Sequence, residues 1–247
     1  PHFLAFRCHH NKALQELIRL KYMPESRMPS KVYGSLEDLL RDSSDINYPC
    51  VLKSSSGAKS LGVKLCSSEK ELKNRAKKIS RTFSLTEWVK DCIKSVIRPY
   101  HIRVSQHKRK FIVQKFVSNL PGDFKVLIYG DRCVALERGL NPGDFRASGS
   151  GNLTVNEPIP AEVIAFCFEL ARKFDVPFAS FDVAMVDGVP ELIEFQFITF
   201  GTSTLFLSER YYLMRNGEII ERKGKLDLEE TIANAIAGFV SKRIDSI

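Results

Sequence analysis

The fold of this chain is decided by the segment FASFDVAMV-DG-VPELIEFQF, residues 178–197. Two mostly apolar runs, residues 178–185 and 192–200, flank a tight turn at residues 186–189. Continuous apolar runs of this length are typical of strands that are buried on both faces. The segment therefore predicts a buried β-hairpin.

Two carboxylates interrupt this apolar hairpin, Asp182 in the first strand and Glu194 in the second. Burying an ionised carboxylate is costly unless it is paired or bound to a metal. Because neighbouring strands lie about 4.8 Å apart, both side chains could converge on one hard cation such as Mg²⁺, which prefers oxygen ligands. In the alternative interpretation, a nearby Lys or Arg satisfies each carboxylate. The segment alone leaves both open.

Composition indicates a globular protein with a real core. The 247 residues are 44% hydrophobic and 27% charged, and this length suits one large domain or two small ones. The net charge of +8 permits an anionic partner without choosing one. The densest basic cluster, residues 107–110, is interpreted as a solvated hairpin turn between strands at 102–105 and 111–117 rather than as a nucleic-acid patch.

Cysteine usage and hydropathy favour a cytoplasmic protein. None of the six cysteines forms a CxxC pair, so we interpret them as reduced core residues. No signal peptide and no apolar run long enough to span a bilayer are present, and we expect no membrane partner. Because the chain begins at Pro1, we expect a fragment or a processed form that lacks an upstream domain.

The order of elements favours an α+β layering over a parallel doubly wound sheet, since most strands are predicted in hairpins with helices between them. Residues 54–62 form a loop of small residues between two short strands. Such a loop lets backbone N–H groups approach a phosphate, with Lys53 and Lys59 adding charge. It lacks the GK[ST] ending and following helix of a Walker loop, and an ordinary surface loop is the alternative.

Taken together and in order, several motifs resemble the ATP-grasp superfamily, most closely the RimK-like ligases that join an amino acid to a carboxylate. The resemblance covers nearly the whole chain from about Asn11. The motifs are Asn11-Lys12, Val51-Leu52-Lys53 with Gly57 and Gly62, Val113-Gln114-Lys115-Phe116-Val117, Asp123-Phe124-Lys125, Glu137-Arg138 with Gly143-Asp144-Phe145-Arg146, and Asp182 with Glu194-Phe195-Gln196.

The resemblance implies roles for these residues. Metal ligands would be Asp182, Glu194 and Gln196, and Arg138 and Arg146 would be catalytic. Cofactor binding would fall to Lys12, Lys53, Gly57, Lys59, Gly62, Gln114, Lys115, Phe116, Val117, Asp123 and Lys125.

The resemblance also implies an architecture. The fold class would be α+β, an ATP-grasp fold of two subdomains with the nucleotide between two antiparallel sheets. Residues 1–47 would be an N-terminal linker helix leading into the fold, residues 48–117 the small lid subdomain, and residues 118–247 the large subdomain with the metal site.

The activity implied is that of an ATP-dependent carboxylate–amine ligase, ADP-forming, working through an acyl phosphate with ATP and Mg²⁺, or Mn²⁺ in its place. Its partners would be a small-molecule carboxylate and an amine; self-association stays open. Among the departures from the family pattern, those at the hinge, where Lys115 replaces a glutamate, and in the metal set, where Gln196 replaces an asparagine, motivate an alternative. This is a catalytically weakened nucleotide-binding sensor or partner-binding module. A basic nucleic-acid-binding protein is a third hypothesis that we do not expect, since no nucleic-acid motif is present.

Overall fold

The computed structural model describes residues 3–56, 62–147, 151–155 and 157–244. The helices are α1 (Phe3–Cys8), α2 (Lys12–Tyr22), α3 (Leu36–Asp42), α4 (Glu69–Ile79), α5 (Leu85–Ile97), α6 (Ala161–Phe174), α7 (Ser203–Leu207) and α8 (Leu228–Ile244). The strands are β1 (Ser30–Tyr33), β2 (Cys50–Ser54), β3 (Val63–Cys66), β4 (Phe111–Lys115), β5 (Gly122–Tyr129), β6 (Arg132–Gly139), β7 (Leu153–Thr154), β8 (Phe178–Val186), β9 (Val189–Gln196), β10 (Arg210–Arg215) and β11 (Glu218–Lys223).

The chain divides into two compact units. The smaller unit is Met28–Phe116, and the larger unit combines the described residues up to Arg27 with those from Val117 onward. The division differs from the domain boundary predicted at residues 47 and 48, which falls inside the smaller unit. The physical reason is that β1 pairs with β4, which ties residues 30–33 to the small sheet, while α2 packs against β9 in the larger unit.

The smaller unit is built on a four-stranded antiparallel sheet in the order β1-β4-β2-β3. Its core joins apolar side chains of the sheet to those of α3 and α4, among them Leu39, Leu52, Leu72 and Phe111. Ser35 and Ser68 begin these two helices by accepting the N–H groups of Asp38 and Glu71, as expected of N-cap serines.

The predicted hairpin between residues 102–105 and 111–117 is wrong. Backbone carbonyls in this region accept hydrogen bonds from other segments of the chain. The carbonyl of His107 accepts the N–H of Leu36, and the carbonyl of Gln106 accepts the N–H of Thr82. Strand β4 instead pairs with β1 and β2. The strand predicted at 111–117 is present as β4 over Phe111–Lys115, but its partners are not the one predicted.

The larger unit is built on an antiparallel sheet in the order β11-β10-β6-β5-β8-β9, with β7 added beside β6. One face packs on α6 and includes Phe181, Val183 and Phe195. On the opposite face, Leu127 and Tyr129 pack with side chains of α7 and α8. The two antiparallel sheets with helices between strands confirm the predicted α+β class.

The predicted buried hairpin is present as β8 and β9. Its turn places Asp187 at φ 49° and Gly188 at φ 76°, the left-handed pair of a type I′ turn. A β-bulge interrupts the pairing: Asp182 opposes Glu194 but Val183 opposes Leu192, which leaves Ile193 without a counterpart.

All six cysteines are free, and five of them are buried, in line with the sequence interpretation. In the described part of the chain, no helix combines the length and the apolar character needed to cross a bilayer.

Candidate functional site

A polar cluster lies on one face of the larger sheet. Side chains alternate between faces along a strand, and the register places a group of seven neighbouring polar side chains, among others, on the face that Leu127 and Tyr129 also occupy. The seven are Asp123, Lys125, Arg138, Ser180, Asp182, Glu194 and Gln196. Helices α7 and α8 pack on the apolar end of this face, and the polar side chains form its other end.

The cluster is organised around one row across three strands. Lys125 in β5 opposes Asp182 in β8, and Asp182 opposes Glu194 in β9. Directly opposed residues of antiparallel strands point to the same side and lie close enough to interact. The prediction that Asp182 and Glu194 share one face of a buried hairpin is therefore confirmed.

Asp182 is buried and fully engaged by cations. Lys125 Nζ lies 2.8 Å from its Oδ1, and Arg138 Nη2 lies 2.9 Å from its Oδ2. Burial alone would raise the pKa of this carboxyl, but Lys125 and Arg138 outweigh it and lower the pKa to about 2. Asp182 is therefore ionised throughout the physiological range.

Asp123 holds the other side of the same arginine. Arg138 donates to its two oxygens from Nε at 2.6 Å and Nη2 at 2.8 Å, a bidentate fork. Burial raises the pKa of Asp123 to about 6, the charge of Asp182 adds to the rise, and the bond from Arg138 opposes it. Arg138 is thus oriented by two carboxylates.

Lys12 reaches the cluster from the start of α2. Asn11 caps this helix by accepting the N–H of Leu14 at 3.1 Å, which fixes Lys12 as the first helical residue. Its Nζ lies 2.9 Å from Glu194 Oε2. Two residues that sequence reasoning selected independently, 182 positions apart, are therefore in direct contact.

Charges within the cluster balance. Lys12, Lys125 and Arg138 face Asp123, Asp182 and Glu194, so three cations meet three carboxylates. The structure bears out the alternative stated for the sequence, that nearby basic side chains satisfy the two hairpin carboxylates. Within the described ranges, no set of three or more His, Cys, Asp or Glu side chains is grouped to hold a metal.

The cluster nevertheless fits a hard cation in the chemistry of its donors. Gln196 opposes Ser180 in the row beside Asp182 and Glu194. The hydroxyl of Ser180 is buried and, among the described residues, has no hydrogen-bond partner. Two carboxylates, an amide oxygen and an unused hydroxyl form an all-oxygen set of the kind that suits Mg²⁺.

The second predicted catalytic residue, Arg146, lies in the loop after β6. Asp144 accepts its Nε at 2.8 Å and its Nη2 at 2.7 Å, together with its backbone N–H at 3.0 Å. The bond to Arg146 is the main cause that lowers the pKa of Asp144 to about 2. Arg146, like Arg138, is held by a carboxylate fork.

The remaining predicted cofactor residues belong to the smaller unit or to its boundary. Lys53 lies in β2, opposite Val63 and Ile112. Gly62 ends the loop: its carbonyl accepts the N–H of Ser54 at 3.0 Å, and a Cβ there would lie 1.9 Å from Ser54 Oγ. Gly57 and Lys59 lie outside the described residues.

The predicted hinge strand, residues 113–117, contains both buried and exposed side chains. Gln114 in β4 is buried and donates to the carbonyl of Met28 at 3.4 Å, whereas Lys115 is exposed. Phe116 is the last residue of the smaller unit, and Val117 begins the second segment of the larger one. The segment chosen for adenine binding is thus the point at which the chain passes from one unit to the other.

Sequence reasoning missed the partners that orient these residues. Asp144 was quoted only as part of an arginine motif, although its spacing of two residues from Arg146 suits a local fork. Glu191 was also missed: it is buried and accepts the hydroxyl of Ser26 at 2.6 Å and the N–H of Arg27 at 2.8 Å. The bulge that turns Glu191 and Glu194 to the same face has no signal in the sequence.

Comparison by sequence identifies no relatives, since neither a family model nor a curated protein matches the chain. Comparison by structure finds many. With D-cycloserine synthetase the TM-score is 0.60 at 12% identity, over 94% of this chain and 71% of that one. With D-alanine–D-alanine ligase of Bacillus anthracis it is 0.53 at 15% identity, over 83% of this chain and 62% of that one.

A third similar structure is the biotin carboxylase domain of the 2-oxoglutarate carboxylase of Hydrogenobacter thermophilus, in complex with MgADP. Its TM-score is 0.53 at 16% identity, over 82% of this chain and 43% of that one. The chain thus spans less than two thirds of the length of two of these three proteins. All three are ATP-grasp proteins, and the fold predicted from the motifs is confirmed: the chain has the ATP-grasp fold.

Proposed function

We propose that the chain is an ATP-dependent carboxylate–amine ligase that forms an amide bond through an acyl phosphate. The observation that carries the proposal is the row Lys125–Asp182–Glu194 with Lys12 and Arg138 joined to it by ion pairs. On a fold shared with enzymes named as ligases and as a MgADP-binding carboxylase, this cluster supplies oxygen donors and cations for a nucleotide triphosphate.

In the proposed reaction, an oxygen of the substrate carboxylate attacks the γ-phosphorus of ATP while the bond from that phosphorus to ADP breaks. The amine then attacks the carbonyl carbon of the acyl phosphate and phosphate leaves, and the amine nitrogen gives up a proton. Both steps build negative charge on oxygens. The chain needs no nucleophile of its own, because catalysis of this kind works by positioning and electrostatics.

The cations of the cluster would bind those oxygens. Lys12 and Lys125 exchange a carboxylate partner for a phosphate oxygen at small cost, since each keeps an anionic acceptor. Arg138 stays forked on Asp123 and presents the rest of its guanidinium to the transferring group. Arg146, oriented by Asp144, would stabilise the carbonyl oxygen. Lys53, Gly62 and residues 114–117 keep the nucleotide-binding roles that the resemblance implies.

Asp182, Glu194 and Gln196 would hold Mg²⁺, with Ser180 beside them. When bound, the metal neutralises charge on the phosphates. Asp182 is suited to this role because its low pKa keeps it ionised, and metal ligands must be deprotonated.

The test is calorimetric titration with a non-hydrolysable ATP analogue, with and without Mg²⁺, for the native chain and Glu194→Ala. We expect Mg²⁺-dependent binding that the substitution weakens, followed by ADP release in a screen of acids and amines. Binding without ADP release for any pair would favour the nucleotide-binding module instead. No binding in either condition would refute both.

A further inference from the structure

The smaller unit presents an apolar helix face to solvent. Helix α5 buries a single residue, Asp91, whereas its apolar side chains Leu85, Trp88, Val89 and Ile93 are all exposed. The exposure is highest near the helix end, at 85% for Val96. An amphipathic helix normally buries its apolar stripe, but the apolar stripe of α5 is uncovered.

Polar contacts hold the helix in this orientation. Asp91 Oδ1 lies 2.7 Å from His101 Nε2, and its Oδ2 accepts the N–H of Val104 at 3.2 Å. The segment that follows the helix is therefore bound to its polar side. That segment carries two more exposed apolar side chains, Tyr100 at 96% and Ile102 at 87%. Exposed apolar side chains are thus present both on α5 and in residues 98–104.

The part of the chain that bears these apolar side chains is rich in basic residues. Residues 85–110 contain seven Lys and Arg against Glu87 and Asp91. The smaller unit as a whole, Met28–Phe116, carries 19 Lys and Arg against 8 Asp and Glu, a net charge of +11, whereas the rest of the chain carries −3. The positive charge of the protein is therefore concentrated in the unit that bears the apolar face.

We propose that α5 and residues 98–104 form a docking surface for an anionic lipid membrane, with the helix lying in the interface. Apolar side chains on one side of a helix, basic ones at its flanks and aromatic residues at the boundary are the pattern of interfacial helices. Lys90, Lys94, Arg98 and Arg103 would contact acidic headgroups. The expectation of no membrane partner rested on spanning segments, which a surface helix does not require.

Other occupants fit less well. A second copy of the chain would bring two strongly positive surfaces together, and like charges at an interface are unfavourable. A nucleic acid would use the charge but leave Val96, Ile97 and Ile102 uncovered. A lipid surface satisfies both the apolar side chains and the cations.

Trp88 makes the test direct, because it is the single tryptophan of the chain and lies on this face. The native chain is mixed with vesicles of phosphatidylcholine, with or without phosphatidylserine, and tryptophan emission and co-sedimentation are followed. We expect a shift of emission to shorter wavelength and co-sedimentation with the phosphatidylserine vesicles, and weaker binding as salt is raised.

The double variant Val96→Asp, Ile97→Asp should reduce binding by at least about tenfold, since it replaces two inserting side chains. Both positions are exposed, so the fold is retained. Val240→Asp, at an exposed apolar position of α8, is the matched control and should bind like the native chain.

Unchanged emission and no co-sedimentation with phosphatidylserine vesicles would overturn the proposal. So would equal binding to vesicles of phosphatidylcholine alone, or binding to polyglutamate in place of vesicles. A dimer in solution that the Val96→Asp, Ile97→Asp variant abolishes would assign the face to a second copy instead.

Discussion

Asp182 and Glu194 lie opposite each other across β8 and β9, yet each has its own cations: Lys125 and Arg138 for Asp182, and Lys12 for Glu194. The two differ in exposure. The side chain of Asp182 is buried, whereas that of Glu194 is 27% exposed. Loss of a partner should therefore have different consequences at the two positions.

Replacing Lys12 tests the more exposed of the two pairs, whose side chains are 17% and 27% exposed. Lys12→Met leaves Glu194 within reach of water, so the free energy of unfolding should change by less than about 1 kcal/mol. Nucleotide affinity should fall about tenfold, because a phosphate loses one cation. Urea unfolding and calorimetric titration measure the two effects.

Lys173→Met is the matched control for this experiment. Lys173 forms an ion pair with Glu169 on α6 at 2.7 Å, away from the cluster. Lys173→Met should change neither the free energy of unfolding nor the nucleotide affinity appreciably. Equal affinities for the Lys12→Met variant and the native chain would remove Lys12 from the proposed site.

Replacing Arg138 tests the buried pair. Arg138→Ala leaves Asp123 and Asp182 without their shared partner, and breaking a buried ion pair costs about 3–5 kcal/mol of unfolding free energy. Arg138→Lys keeps the charge but cannot make the bidentate contact with Asp123. The decrease in unfolding free energy should therefore be smaller, about 1–2 kcal/mol. Urea unfolding distinguishes the two variants.

The lysine variant also separates stability from catalysis. Because the Arg138→Lys variant remains folded, any loss of ADP formation must come from the missing N–H donor of the guanidinium group. We expect a decrease of roughly 10²–10³-fold, the usual effect of removing one preorganised charge-stabilising group. Native-like turnover by Arg138→Lys would contradict the catalytic role.

The raised pKa of Asp123 predicts a pH dependence of stability. Its pKa rises from 3.8 to about 6 on folding. Between about pH 4 and pH 6 the folded chain holds a proton that the unfolded chain releases, so folding is favoured as pH falls through this window. Asp182 acts oppositely and only below about pH 4, where protonation removes its contribution.

Asp123→Asn removes the titration while keeping the shape of the side chain. From about pH 4 to pH 7, the native chain should lose stability relative to this variant, by on the order of 2 kcal/mol. Urea unfolding at both pH values gives the difference. Parallel stability curves for the two proteins would show that Asp123 is ionised in the fold as readily as in the unfolded chain.

Gly122 is required by a close approach of two strands. A Cβ at this position would lie 2.1 Å from the backbone carbonyl oxygen of Arg138, which cannot rotate away. Gly122→Ala should therefore spread β5 from β6, displace Arg138 from Asp123 and lower both melting temperature and nucleotide affinity. Thermal unfolding and calorimetry check the two losses.

Gly238→Ala is the matched variant for which we expect a gain in stability rather than a loss. Gly238 lies within α8, and a Cβ there would meet nothing within 4 Å. Alanine is favoured over glycine in a helix by up to about 1 kcal/mol, so this variant should be slightly more stable. A Gly122→Ala chain as stable as the native one would mean that the strands separate without cost.

Local patterns predicted the hairpin at the centre of the site. The apolar runs and the Asp187-Gly188 turn indicated β8 and β9, and the spacing of neighbouring strands indicated that Asp182 and Glu194 could converge. Regular alternation from the turn would oppose Asp182 to Ile193, so their shared face depends on the bulge. What joins Lys12 and Arg138 to them is tertiary pairing, which no local pattern encodes. The same reason explains why β1 was not identified as a strand of the small sheet: its partner β4 lies about eighty residues away.

The bulge at Ile193 has a further consequence, for the edge of the larger sheet. Strand β9 is the outer strand beside β8, and an unprotected outer strand can template pairing with another chain. The bulge directs Glu194 to the start of α2 and Glu191 to Ser26 and Arg27 beyond its end. Two glutamates of β9 thus fasten both ends of the segment that packs beside it, and we expect this attachment to disfavour pairing of β9 with another chain.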